Sequence, residues 1–387
     1  MKVGCHCTHN PPGHQQTMNR HWGLFVALLG SLAFVTGFGA PRLVDRPHAP
    51  EQHATVGQLR QWYAALPPPV TARAYLLYDE TTDQLLFESN ADMPLPPASL
   101  TKLMTALLVF ERGAFTQTVT VRASDLVDGA SMELTAGERV TVEELLWGLL
   151  VPSGNDAAMA LARHTAGDLP RFVAQMNDRA RALGLTQTHF VNPHGLDAAG
   201  HTSSARDLLQ LALLLSRDPL ARTMIGSAEA TIAGHDLRNT NELLGVFPGA
   251  DGVKTGTSDA AGQCIIASIQ HDGRRVLIVV LGSRDRYADV RALYAYYRAN
   301  YLWVAMNADE LPILNRLDAP DGVRWYVRAV SSPAPRLMRP WEWWALRPFR
   351  RIAPPTAELT WTAGQTVGSI EWRLHGELIA VQTLVLW

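Results

Sequence analysis

The chain has 387 residues, 47% of them apolar and 18% charged, with 34 basic against 36 acidic side chains and a formal charge of −2. These proportions exclude disordered, coiled-coil and collagen-like chains and describe a globular protein of about two domains. The near-neutral charge, with no long basic run, argues against a nucleic-acid partner.

The first 40 residues carry Lys2 and Arg20 and no acid, and they run apolar from Trp22 to Ala40. Such a leader reads either as a cleaved export signal or, being close to the ~20 residues that cross a bilayer, as a retained N-terminal anchor. A start at Met18 would leave a compact signal. Cys5, His6, Cys7 and His9 have spacing that suits a metal, but in a Pro-, Gly- and Gln-rich stretch they read as unstructured, so no metal or cofactor is expected. Cys264 is the one cysteine beyond the leader, which leaves no disulfide for a processed chain. Removing residues 1–40 leaves 32 basic against 36 acidic groups, a mildly acidic exported protein.

A linker near residues 41–55 and the prolines at 67–69 precede AYLLYDETTDQLLFES, whose alternation around a polar turn predicts a β-hairpin. Apolar spacing then predicts a helix from Ser99 to about Arg112, led by Pro96 and Pro97, and further helices over 141–149, 155–166, 170–183 and 203–216. Strand patterns return at 228–233 and 251–257. GQCIIASIQ and RRVLIVVLGS form another pair around the turn residues His271, Asp272 and Gly273. A helix from Arg286 to about Tyr301 closes the unit. Strands at both ends with helices between them predict one antiparallel sheet, the late hairpin paired to the early one, with helices on both faces. The texture then changes to short Pro-punctuated alternating runs. The expected organisation is a leader and linker over 1–45, an α+β domain over 46–303 and a small all-β domain over 304–387.

Arginine supplies 31 of the 34 basic groups, the lysines being Lys2, Lys102 and Lys254. A guanidinium stays charged in a protein, whereas an amine can be tuned into a base or used as a compact point charge, so the surroundings of the two lysines beyond the leader carry information. Lys102 lies three residues after Ser99, an offset that stacks both side chains on one helical face. A neutral lysine there can take the serine proton, although an N-cap serine beside a solvated lysine would look the same. Lys254 opens Lys254-Thr255-Gly256-Thr257, where two hydroxyls, an ammonium and a glycine that admits close approach make a seat for a carboxylate; the plainer reading is an edge strand blunted by lysine. Between them Ser153-Gly154-Asn155 sits on a turn between two helices, offering a relay hydroxyl and an amide, or simply a polar cap. Finding both lysines in such settings by chance has a probability on the order of a few in ten thousand at ordinary Ser, Thr and Gly frequencies.

Ser-x-x-Lys, Ser-x-Asn and Lys-Thr-Gly in this order form the triple of serine β-lactamases and penicillin-binding proteins. With PPASLTKLMTALL, LLVPSGNDAAMALA, THFVNPHGLD, HTSSARDLLQLA, NTNELL and DGVKTGTSDAAG, the sequence resembles the low-molecular-mass penicillin-binding proteins that act as D-alanyl-D-alanine carboxypeptidases. The resemblance takes in most of residues 70–387. It implies a β-lactamase/DD-peptidase-like domain followed by a small β domain, and an extracytoplasmic enzyme acting on peptidoglycan stem peptides, with β-lactams as covalent inhibitors and no cofactor. It further implies Ser99 as acyl-ester nucleophile, Lys102 as its base and Ser153 as proton relay. Asn155, Lys254, Thr255, Gly256 and Thr257 would hold substrate, the backbone N–H groups of Ser99 and Thr257 would form an oxyanion hole, and His194 and Gly195 would be accessory, with Asp207 packed beneath them.

Two departures from the family pattern matter. The sequence ends in a strand rather than an amphipathic helix, which turns attention to the leader and to PRLMRPWEWWALRPFRR as membrane contacts, the latter equally readable as a packed aromatic cluster. No Glu-x-x-Leu-Asn follows Ser153, which argues against rapid penicillin hydrolysis. A DD-endopeptidase, a β-lactamase of the same fold and a non-catalytic penicillin sensor remain as alternatives.

Overall fold

A computed structural model describes residues 55–63, 66–308, 315–318, 322–353 and 361–387. The leader, with its cysteines, histidines and apolar run, lies outside the described residues. A short helix α1 (Val56–Trp62) precedes the hairpin β1 (Ala74–Asp79) and β2 (Gln84–Ser89). A 3-10 turn, Ala98–Thr101, then leads into α2 (Lys102–Arg112), which stops at Gly113 in the left-handed conformation. Strands β3 (Thr118–Thr120) and β4 (Arg139–Thr141) pair with each other and flank the polar loop that rises over the next helices. Those helices are α3 (Val142–Leu150), α4 (Asn155–Ala166), α5 (Leu169–Ala182), α6 (Ala205–Leu215) and α7 (Pro219–Gly226). Thr141 caps α3 with Glu144 closing the capping box, and Asp168, Ser204 and Asp218 cap the last three.

After the small hairpin β5 (Glu229–Ile232) and β6 (His235–Arg238) come β7 (Ala250–Ser258), β8 (Gly262–His271), β9 (Arg274–Ser283) and α8 (Arg286–Asn300). The main sheet runs β2-β1-β9-β8-β7, antiparallel throughout, so the late hairpin does join the early one through β1 and β9. Alternation along the strands feeds two cores, as a sheet covered on both faces requires. Leu76, Ile266 and Val279 face the helical side with Leu103, Leu146 and Leu211. Leu77, Ile265 and Ile278 face α8, meeting Val290 and Leu293.

Beyond α8 lie β10 (Leu302–Val304), β11 (Arg316–Asp318), β12 (Arg324–Ala329), β13 (Arg336–Met338), α9 (Pro340–Ala345), β14 (Leu346–Ile352), β15 (Thr366–Leu374) and β16 (Glu377–Leu386). A second five-stranded sheet runs β11-β12-β16-β15-β14. His375 and Gly376, both at positive φ, make the tight turn between β15 and β16. Ile370, Trp372, Leu374 and Leu384 on one face of that sheet build a core that Val56 of α1 completes. The boundary expected near 303 falls within β10, which pairs with β13. Adjacent residues of β13 enter different cores, Leu337 that of α8 and Met338 that of the second sheet, and residues 54–387 make one compact unit. Among the described residues no helix is long and apolar enough to cross a membrane.

Candidate active site

The two prolines ahead of Ser99 end in a forced turn: Ala98 stands at φ +48°, a conformation that costs an L-residue about 1–3 kcal/mol unless its surroundings hold it. The helix predicted to begin at Ser99 begins instead at Lys102, with Ser99 in the 3-10 turn before it. This difference sharpens the expected pairing, because a 3-10 turn has three residues per turn and superposes positions i and i+3. Lys102 Nζ lies 3.0 Å from Ser99 Oγ.

The other neighbours of that amine define its protonation. Nζ also lies 2.7 Å from Asn155 Oδ1 and 2.7 Å from the carbonyl oxygen of His194, two atoms that can only accept. A neutral amine has two hydrogens for those carbonyls and one lone pair left, which then falls to the Ser99 hydroxyl. Lys102 is fully buried, and burial first, the charge of Lys254 second, push its pKa well below that of a free lysine, while Asp156 pulls weakly the other way. Burial and this set of acceptors both favour the neutral amine.

Asn155 sits at the first turn of α4, where its Nδ2 donates to Asp128 O at 2.6 Å, so its side chain is gripped at both ends. Ser153, in the turn before it, adopts φ +67°, and its Oγ is buried with no hydrogen-bond partner. An unsatisfied buried hydroxyl is costly in an ordinary core, and here it belongs to a cleft of about 560 Å³ that Ser99, Ser153, Thr255, Gly256 and Thr257 help to line. Asp156, which the sequence reading passed over, accepts from Ser131 Oγ and from the Met132 and Leu134 backbones, tying the 131–134 loop to the same helix start.

The strand β7 closes the other side. It is the sheet edge, yet Lys254 is 1% exposed, so the blunted-edge reading fails. A Cβ at Gly256 would stand 2.8 Å from the Ser99 nitrogen, so the missing side chain is what lets β7 lie against the Ser99 turn. Lys254 Nζ donates to Thr255 O at 3.1 Å, and its pKa is pulled down to about 7 by burial and then by Arg286. Lys254 itself is not among the cleft-lining residues, whereas Thr255, Thr257 and Arg286 are. Arg286 is a cleft-lining charge that the sequence reading missed. It stands at the start of α8, donates to Gly256 O at 3.0 Å, to Cys264 O at 2.9 Å and to Thr257 Oγ1, and brings a permanent charge to the cleft. No short motif marks it; its place follows only from how α8 crosses the strand ends.

His194 contributes its backbone carbonyl rather than its ring, whose Nδ1 accepts from Leu196 N at 3.1 Å. Burial and nearby Lys102 lower its pKa to about 4, so the ring is neutral. Gly195 lets this loop lie against the Ser99 turn: its φ is +93°, and a Cβ there would lie 1.9 Å from Ala98 O. His201, likewise neutral, accepts from Val191 N and meets Thr101 Oγ1 at 2.7 Å. Asp207, expected beneath the loop, accepts from Gln187 N and Thr188 Oγ1. No cluster of metal-ligand type occurs among the described residues.

A family model described as D-alanyl-D-alanine carboxypeptidase matches residues 62–285, more than half of the chain. The D-alanyl-D-alanine carboxypeptidase DacF of Bacillus subtilis is 35% identical over 244 residues, 59% of this chain and 63% of the relative, so the chain spans less than two thirds of that curated protein. Among solved structures, penicillin binding protein 6B from Escherichia coli superposes with a TM-score of 0.64 at 31% identity, covering 84% of this chain and 98% of that one. Penicillin-Binding Protein D2 from Listeria monocytogenes, in an ampicillin-bound form, gives 0.55 at 32% identity, covering 60% and 98%.

Proposed function

The chain belongs to the D-alanyl-D-alanine carboxypeptidase family of serine peptidases, and from that premise we propose that it removes the terminal D-alanine from peptidoglycan stem peptides outside the cytoplasm. The observation that carries this reading is the shell of Lys102, two carbonyl acceptors and one serine hydroxyl around a buried amine. In the proposed reaction Ser99 Oγ bonds to the carbonyl carbon between the two terminal D-alanines as its proton passes to Lys102. The backbone N–H groups of Ser99 and Thr257 receive the charge that develops on the carbonyl oxygen, a placement supported by the close approach of Gly256 to the Ser99 nitrogen. The C–N bond then breaks, the proton returns to the departing amine through Ser153, whose idle hydroxyl suits a relay, and water releases the shortened peptide.

Carboxylate recognition is better assigned to Thr255, Thr257 and Arg286 than to the enclosed Lys254. In this reading Lys254 acts on Lys102 through its charge. Asn155, gripped at both ends and enclosed as Lys254 is, positions the base, and His194 and Gly195 hold the base in place. β-Lactams, which present a strained amide beside a carboxylate, are the matching covalent inhibitors in this reading, and the Listeria monocytogenes structure is in an ampicillin-bound form.

Incubation with a diacetylated Lys-D-Ala-D-Ala peptide tests the proposal: free D-alanine is expected, and Ser99→Ala should abolish penicillin labelling while the protein stays folded. Binding without release would mark a sensor, rapid penicillin turnover a β-lactamase, and cleavage restricted to cross-linked dimers an endopeptidase.

A further inference from the structure

The second sheet has one face in its core and an opposite face that carries many exposed side chains, and the two differ sharply in chemistry. On β12 the outward residues are Arg324, Tyr326 and Arg328, all exposed, and on β14 they are Arg347, Phe349 and Arg351. Register places Arg347 opposite Arg373, Phe349 opposite Glu371 and Glu371 opposite Val381, while Arg316 and Tyr326 pair at the far edge. Six guanidinium groups thus share this face with two carboxylates, on a chain whose formal charge is −2. Both acids are already engaged: Glu371 meets Arg351 at 2.6 Å and Arg373 at 2.7 Å, and Asp318 meets Arg316 at 3.1 Å and Arg324 at 3.4 Å. Arg328 and Arg347 add charge that no carboxylate of this group offsets.

Protection of an edge strand explains part of the pattern, since arginine and Pro348 on β14 discourage further pairing. It does not explain Arg324 and Arg328, which lie on β12 with β16 and β15 in between. Nor does it explain the aromatic groups set among the charges. Tyr326 is 50% exposed, Phe349 51%, and Trp343 and Trp344, on the helix that leads into β14, 40% and 73%. Arg347 donates to the Trp344 carbonyl at 2.6 Å, which joins the end of α9 to the arginine face.

We propose that this face, with Trp343 and Trp344 at its margin, docks on the surface of an anionic phospholipid bilayer. Guanidinium groups supply attraction to the headgroup phosphates, and tryptophan and phenylalanine side chains suit the interfacial layer, where a ring can bury its apolar body and keep its polar edge wet. A soluble anionic polymer would use the charges but leave the exposed rings without a role. The inference does not rest on the catalytic reading, because no residue of the face belongs to the cleft.

Sedimentation of the full chain with vesicles of phosphatidylcholine, with or without about a third phosphatidylglycerol, tests it. The leader, with Lys2 and Arg20, is the same in the wild type and in every variant, so the change in the ratio of the two affinities on substitution reports the face. Arg328→Gln with Arg347→Gln should lower that ratio on the order of 25-fold, about fivefold for each charge removed, whereas Arg328→Lys with Arg347→Lys should keep it. Trp343→Ser with Trp344→Ser should weaken binding to the anionic vesicles with the salt dependence unchanged. A ratio equal to the wild-type value in the glutamine variant, at an unchanged unfolding midpoint, would overturn the proposal. So would polyphosphate binding as tight as vesicle binding and indifferent to the tryptophans.

Discussion

Lys102 shows how far a residue's chemistry is made by its neighbours. Burial and the charge of Lys254 oppose protonation of its amine, and in the neutral form the lone pair is aimed because Asn155 and His194 take the two hydrogens. Acylation should therefore fall as the pH drops and the base gains a proton. In Lys254→Met the Coulombic share of the depression is lost while burial, the larger cause, remains. The acidic limb of the acylation profile with a reporter β-lactam should move to higher pH. An unmoved limb would mean that the two amines do not communicate. The same substitution bears on stability. The pKa of Lys254 is about 7 in the folded chain and that of a free lysine in the unfolded one, so unfolding takes up a proton between about pH 7 and 10.5. Native stability thus rises with pH across that window, and the cost of the buried charge is greatest below it. Lys254→Met should raise stability at pH 6 by about 0.5–2 kcal/mol and flatten the slope above pH 7, as urea titrations at several pH values would reveal.

Elements matter here at their ends. The 3-10 turn before α2 superposes Ser99 on Lys102, and the glycine loop presses on that turn from one side while β7 presses from the other. Gly195→Ala would place a Cβ 1.9 Å from Ala98 O at a φ of +93°, so either the loop or the turn must shift. We expect a loss of about 1–3 kcal/mol in stability and, since a displacement of about 1 Å at a reacting group is costly, on the order of a 10²-fold loss in acylation rate. Stopped-flow labelling with a fluorescent penicillin measures the second effect; a variant with wild-type kinetics would show that the loop does not set the position of Ser99. Helix and strand extents followed closely from apolar spacing, because each of those segments buries one face on a neighbour. The departure at Ser99 came from a feature that spacing does not encode, the strained Ala98 that two prolines and the packing of Gly195 enforce.

On the scale of the molecule the two sheets are held by elements from distant parts of the sequence. Val56 of α1 is 3% exposed within the core of the second sheet, and Arg60 pairs with the buried Glu342 of α9 at 2.6 Å. Val56→Ala should lower stability by about 0.5–3 kcal/mol, with faster hydrogen exchange in β15 and β16, while penicillin labelling keeps its wild-type rate. A slower labelling rate would show instead that the second core supports the cleft.

The sequence by itself determined which groups to expect together at one site. Three lysines among 34 basic residues, and the hydroxyls spaced around two of them, pointed to Ser99, Lys102, Ser153, Asn155 and the Lys254–Thr257 strand, because short-range spacing fixes which side chains share one turn or one strand. Tertiary structure decided what each of them faces. It enclosed Lys254 and brought Arg286 to the cleft, exchanged the His194 ring for its carbonyl, and gathered arginines from four strands on one surface. Those outcomes depend on burial and on the crossing of elements far apart in the chain, and neither leaves a local pattern to read.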